Sequence, residues 1–154
     1  MSYKVTVVEQ PARHLVGFYV RTNFNNTHIE CPALWGKFAP RMEELASVAE
    51  EGSFGASGNM ENGSFDYWAA MAVPNGAKTP SDMSCLDVKG GKYAECLVEN
   101  MADISSVYQY IYGEWGNTQN EYRVDFTSAC LEFYRKDWRE GDPVTLYVPL
   151  QNHS

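Results

Sequence analysis

One grammar occurs twice along this chain, and it restricts the fold more than any single motif. β-rich runs lead into a helical stretch and further strands on both sides of a Pro- and Gly-containing segment at residues 74–80. In the first half, residues 3–9 alternate loosely, Pro11 interrupts, and residues 13–20 form a second β-rich run. After a polar loop at 21–27, a helix is expected from Pro32, a residue suited to the first helical position. Ala33, Leu34, Phe38, Met42, Leu45 and Ala49 recur there at three-or-four spacing, and Pro40 must kink or split the helix. The glycine-rich residues 51–64 read as turns around a short strand, a flexible hairpin with neither a phosphate loop nor a dinucleotide turn. A strongly β run follows at 65–73.

The second half repeats the order. Residues 84–89 read as a strand, Gly90-Gly91 as a two-residue hairpin turn, and 92–99 as the returning strand. Asp103 is a fair N-cap for a helix carrying Ile104, Val107, Tyr108, Ile111 and Trp115 on one side. A polar loop at 117–125, a strand at 128–134, a charged loop at 135–142 and a last strand at 144–148 complete the chain. Each half alone buries too little surface to be stable. The expectation is therefore one α+β domain, 1–154, with pseudo-twofold symmetry, internal halves of 1–78 and 79–150, and no DNA-binding domain.

The charge balance excludes some partners. Lys plus Arg number 12 and Asp plus Glu 20, a formal net charge of −8, which argues against a binder of the nucleic-acid backbone. No apolar run approaches a membrane span, and Met1-Ser2-Tyr3-Lys4 does not open a signal peptide, so a cytoplasmic protein is expected. Cys31, Cys85, Cys96 and Cys130 are scattered without a CxxC pair, and His14, His28 and His153 form no cluster. Reduced structural thiols, no metal and no cofactor follow.

A carboxylate occupies an unexpected place. Alternation in Ser128-Ala129-Cys130-Leu131-Glu132-Phe133-Tyr134 puts Cys130, Glu132 and Tyr134 on one face and Ala129, Leu131 and Phe133 on the other. Both faces are apolar, so Glu132 points into an interior or a cleft. There it either meets a structural cation (Arg13, Lys92 or Arg123) or stands as a site residue with a raised pKa. Glu95 and Asp66 are weaker candidates of the same kind. Aromatics are abundant, with 10 Tyr, 7 Phe and 4 Trp. Trp35, Tyr67, Trp68, Tyr93, Tyr108, Tyr112 and Trp115 lie on elements that allow them to converge, and the alternative for each is ordinary core. Rings around a buried carboxylate suit a lipophilic cation, by cation–π attraction and counter-charge. No nucleophile–base set stands out, so no catalytic residue is assigned.

The opening Val8-Glu9-Gln10-Pro11-Ala12-Arg13, the helix start Pro32-Ala33-Leu34-Trp35-Gly36-Lys37-Phe38 and the return Gly91-Lys92-Tyr93-Ala94 resemble the GyrI-like small-molecule-binding family. Tyr108-Gln109-Tyr110-Ile111-Tyr112-Gly113-Glu114-Trp115, Leu131-Glu132-Phe133-Tyr134 and Leu146-Tyr147-Val148-Pro149-Leu150 do so as well. That family includes effector domains of AraC-type and MerR-type multidrug regulators and free-standing relatives. The resemblance implies a duplicated strand–helix–strand–strand module, an antiparallel sheet with two main helices, and an aromatic cleft between the halves. It also implies a buried glutamate as counter-charge for cationic drugs and dyes, matched here by Glu132, with Trp35, Tyr67 or Trp68, Tyr93, Tyr108 and Trp115 near the cleft. Trp115-Gly116-Asn117-Thr118-Gln119-Asn120 and Ser128-Ala129 depart from the family pattern at the cleft mouth. The implied function is sensing or sequestration of lipophilic cationic molecules. The alternatives are a gyrase-inhibitor-type modulator, with DNA gyrase or another protein as partner, and a hydrolase of strained electrophilic natural products.

Overall fold

The computed structural model describes residues 3–49 and 51–152, so Met1, Ser2 and His153 lie outside the described residues. The strands are β1 (Thr6–Gln10), β2 (Arg13–Asn23), β3 (Ser53–Glu61), β4 (Ser64–Ala72), β5 (Ser84–Val88), β6 (Gly91–Val98), β7 (Tyr122–Val124), β8 (Cys130–Tyr134) and β9 (Val144–Asn152). The main helices are α1 (Thr27–Phe38) and α2 (Ile104–Tyr110); a π-helical stretch, Ile111–Trp115, prolongs α2. All pairings are antiparallel, in the order β1-β6-β9-β8-β3-β4-β2-β5, with β7 added on β9. The order is palindromic in structural role: β3 and β8 meet at the seam, and each half contributes its helix and three strands around them. The fold is therefore α+β with pseudo-twofold symmetry.

The leading strand of each half crosses to the other. β1 pairs with β6, and β5 with β2. Gln10 faces Gly91 and, beyond Pro11-Ala12, Arg13 faces Val88 in unbroken register. Gly90-Gly91 is therefore not a hairpin turn, because β5 and β6 do not pair with each other. They are two segments of one kinked ribbon lying along another. The kink needs a residue without a side chain: a Cβ on Gly90 would stand 2.8 Å from the Ala12 nitrogen.

Two other expectations need correction. The helix begins at Thr27, before Pro32, which sits inside it. β2 runs on to Asn23, whose side chain accepts hydrogen bonds from the Asn25 and Asn26 amides and so turns the chain directly into α1. The glycine-rich stretch after residue 51 does contain a strand and turn back as a hairpin into β4, but not as a flexible one: β3 is paired on both edges at the centre of the sheet. Pro40 behaves as expected: α1 ends at Phe38 and a 3₁₀ segment, Ala39–Glu44, continues it.

Three apolar clusters hold this arrangement. One packs α1 (Leu34, Phe38) on Val16, Phe18, Tyr67 and Met71, and a second packs Val107, Ile111 and Trp115 on Cys96, Cys130, Leu146 and Val148. The third lies on the helix-free face, where Leu15, Phe54, Trp68, Tyr93 and Leu131 come together. Each fully buried Leu or Phe contributes about 1.5–3 kcal/mol. The helix-side clusters leave a gap above the β3–β8 seam, and the candidate site occupies it. No helix among the described residues is long and apolar enough to cross a membrane.

Candidate functional site

Glu132 lies on β8 directly opposite Gly55 of β3, on the sheet face that carries both helices. It is 8 % exposed. Its Oε1 accepts hydrogen bonds from the hydroxyls of Tyr67 and Tyr134, each at 3.1 Å, and its Oε2 accepts one from Tyr108, also at 3.1 Å. Tyr67 comes from β4, Tyr134 from β8 and Tyr108 from α2, so both halves of the molecule supply donors. Trp35 on α1 donates its indole N–H to the Tyr67 oxygen at 2.9 Å. Indole nitrogen is a donor only, so this bond obliges Tyr67 to direct its own proton at Glu132.

The structural-cation alternative does not hold. Arg13 pairs with Glu51 and Lys92 lies near Glu9, while Arg123 stands exposed on β7. Among the described residues no Lys, Arg or His lies within ion-pair distance of Glu132. Burial raises the Glu132 pKa above the ordinary carboxylate value, and the tyrosine hydroxyls oppose that shift only in part. Burial and the adjacent carboxylate in turn push Tyr67, Tyr108 and Tyr134 upward, so all three remain protonated donors. Cys31 on α1 feels the same environment, its thiol pushed up to about 12 by burial and by Glu132 and Glu30. A thiol so raised stays neutral near pH 7.

A cavity of about 730 Å³ opens beside this network. Trp35, Tyr134 and Trp138 supply its rings, and Met42, Met71 and Met101 its flexible apolar surface. Trp35 stands edge-on to Tyr134, with centroids 5.2 Å apart, and Tyr134 edge-on to Trp138 at 5.1 Å. Trp35 and Tyr134 thus face the cavity on one side and belong to the Glu132 network on the other. Glu132, Tyr67 and Tyr108 do not line the cavity, so the carboxylate lies one layer of rings behind its wall.

The structure divides the aromatic candidates. Trp35, Tyr67 and Tyr108 join Glu132 in one network. Tyr112 stacks on Tyr108, with centroids 6.1 Å apart, and its hydroxyl lies 2.6 Å from the Cys130 sulfur, one step removed. Trp115 packs with Val107, Ile111 and Leu150 and makes no hydrogen bond to Glu132. Trp68 and Tyr93 point away: alternation places both in the helix-free core, where Trp68 stacks on Tyr19 and the Tyr93 hydroxyl donates to the Lys89 carbonyl at 2.6 Å. Asp66 is paired with Arg21 at 3.2 Å, and Glu95 lies half-buried beside Tyr3 and Lys4. Sequence reasoning did not single out Tyr134, although alternation put it on the Glu132 face, nor Trp138, Gly55 or the methionines. Among the described residues no three His, Cys, Asp or Glu side chains cluster as metal ligands do.

This fold, with its buried carboxylate between two helices, defines a ligand-binding domain of the GyrI-like class. The chain belongs to the Cass2 family of integron-associated effector binding proteins, whose family profile matches residues 6–150. No curated protein matches it in sequence. Among solved structures it is similar to SAV2435 bound to tetraphenylphosphonium, at a TM-score of 0.76 and 14 % identity over 98 % of this chain and 94 % of that one. It is also similar to an integron cassette protein from the mobile metagenome of Vibrio cholerae (TM-score 0.62, 18 % identity, 96 % and 95 % covered). The C-terminal domain of EcmrR aligns over 99 % of this chain and 100 % of that domain, at 13 % identity and a TM-score of 0.65.

Proposed function

We propose that the protein binds lipophilic organic cations in the cavity beside the Glu132 network, as a sensor or sequestering protein, with Glu132 as counter-charge. The observation that carries this reading is the buried carboxylate held by tyrosine hydroxyls from both halves, with no cation beside it among the described residues. Hydroxyl donors keep such a group ionisable without neutralising it, so its attraction remains available to a guest. Each desolvated ring in contact with the cation adds about 2 kcal/mol, and flexible methionines adapt to guests of different shape. A ligand that touches Glu132 displaces Trp35 or Tyr134, because these two rings separate the cavity from it. The neighbour SAV2435 holds tetraphenylphosphonium, which supports this ligand class and supplies a probe.

The test is calorimetric titration of tetraphenylphosphonium into the wild-type chain and Glu132→Gln. Saturable binding is expected for the wild type, weakened by about 10–100-fold in the variant, the worth of a charged partner in a buried site. Circular dichroism should remain unchanged. Equal affinity in the two chains removes Glu132 from the site.

A further inference from the structure

The position facing Glu132 across the seam is empty of any side chain, and the geometry of that gap is specific. β3 lies between β4 and β8, so Tyr67 must reach across a whole strand to meet Glu132. Two strand spacings amount to about 9.5 Å. The bridge passes over residue 55. A Cβ built on Gly55 would stand 2.6 Å from Glu132 Oε1, 2.7 Å from the Tyr67 hydroxyl and 3.3 Å from the Tyr67 ring carbon that bears it. Gly17 of β2 and Gly52, just ahead of β3, exclude a side chain for a different reason. At Gly17 and Gly52 the obstacle is backbone, the carbonyl oxygens of Ala69 and Tyr134. Those two allow strands and loops to pack. Gly55 does not have the positive φ that would require glycine, so only space forbids a side chain there. That space is taken by the two partners of one hydrogen bond.

We propose that Gly55 is a positioning residue for the cation site: its missing side chain is what lets Tyr67 cross β3 and hold Glu132 Oε1. The claim rests on the reading of Glu132 as counter-charge. It extends that reading to why the pseudo-symmetric seam carries a carboxylate on one strand and nothing on the other, so that the site presents a single negative charge.

The experiment uses the full chain as wild type, Gly55→Ala, Tyr67→Phe and the double variant. Two readouts are taken: tetraphenylphosphonium affinity, and the ligand-free titration of the Glu132 carboxyl followed by carbon-13 NMR. Gly55→Ala is expected to keep the strand, weaken affinity about tenfold, the scale of one charged hydrogen bond, and move the Glu132 titration. Its penalty should shrink in the Tyr67→Phe background, where the hydroxyl no longer competes for the space. No change in either readout, or the same penalty in both backgrounds, overturns the proposal. Should Gly55→Ala fail to fold, the same substitution is placed in a Glu132→Ala/Tyr67→Ala chain. Folding restored there supports the proposal, and persistent unfolding overturns it. A wild type that binds no tetraphenylphosphonium defeats the functional reading alone, because the carboxyl titration still decides the role of Gly55.

Discussion

Tyr67 and Trp68 are neighbours on one strand, both aromatic and both buried, yet they serve opposite faces of the sheet. Tyr67 looks toward the helices, accepts from Trp35 and donates to Glu132. Trp68 looks into the helix-free core with Phe54, Tyr93 and Leu131. The helix side is richer in rings, but the two faces differ above all in polarity. Where polar atoms occur on the helix-free face they are already satisfied, as Tyr93 is by the Lys89 carbonyl. On the helix side three hydroxyls converge on a carboxylate that has no cation beside it among the described residues. Aromatic abundance marks a core; an uncompensated charge within reach of a cavity marks a site.

Substitutions can separate the two faces. The largest effect on stability is expected from Leu131→Ala, beside Glu132 in the chain but on the helix-free face. Emptying that fully buried position should cost about 2–5 kcal/mol in chemical denaturation. The pH dependence of cation binding should persist, and its loss would mean that the faces are not independent. Tyr67→Phe comes next: one donor to Glu132 disappears and the Trp35 N–H loses its acceptor. Tetraphenylphosphonium affinity should fall about tenfold by calorimetry.

The third test is pH. The Glu132 pKa is raised in the folded chain, so the folded state retains a proton that the unfolded chain has already released. Its contribution to stability is full below the ordinary carboxylate pKa and is lost as pH rises through the raised value. The slope is up to about 1.4 kcal/mol per pH unit in that window. Relative to Glu132→Gln, wild-type stability should therefore decline with rising pH while cation affinity climbs, since the ionised form is the one that binds. Parallel stability curves for the two chains would deny the raised pKa. The smallest effect belongs to Tyr93→Phe, which removes one neutral hydrogen bond on the helix-free face. About 0.5–1.5 kcal/mol of stability should go, with cation affinity unchanged. A loss of affinity there would show that the helix-free face also reaches the ligand.

Much of the site was legible because a strand's period of two is a local property. The alternation around Glu132 placed the carboxylate correctly with Cys130 and Tyr134 and opposite Leu131 and Phe133. The same rule divided Tyr67 from Trp68 but not in absolute terms, since periodicity states that two residues face opposite ways without stating which way the seam lies. Tyr93 shows the cost of that ambiguity. It alternates with Ala94 along β6, and it is Ala94 that takes the helix side. Gly90-Gly91 carried a strong local turn signal that the tertiary structure overrode. Its backbone is pressed against Pro11-Ala12, a neighbour that no short window contains. Gly55 was invisible for a related reason: a residue with no side chain leaves no pattern, and its importance lies in what occupies the vacated volume.

By itself, the order of residues determined two β-rich halves with one helix each and set a carboxylate on a strand that has no polar face. Folding decided what that carboxylate meets. Tyr67 lies 65 positions from Glu132 in the chain, and they touch only because β3 inserts between their strands with a glycine at the crossing. Hydrogen bonds act over about 3 Å and periodicity over a few residues. The presence of three donors, and of no cation among the described residues, is therefore a property of the assembled fold, which no segment of it carries alone.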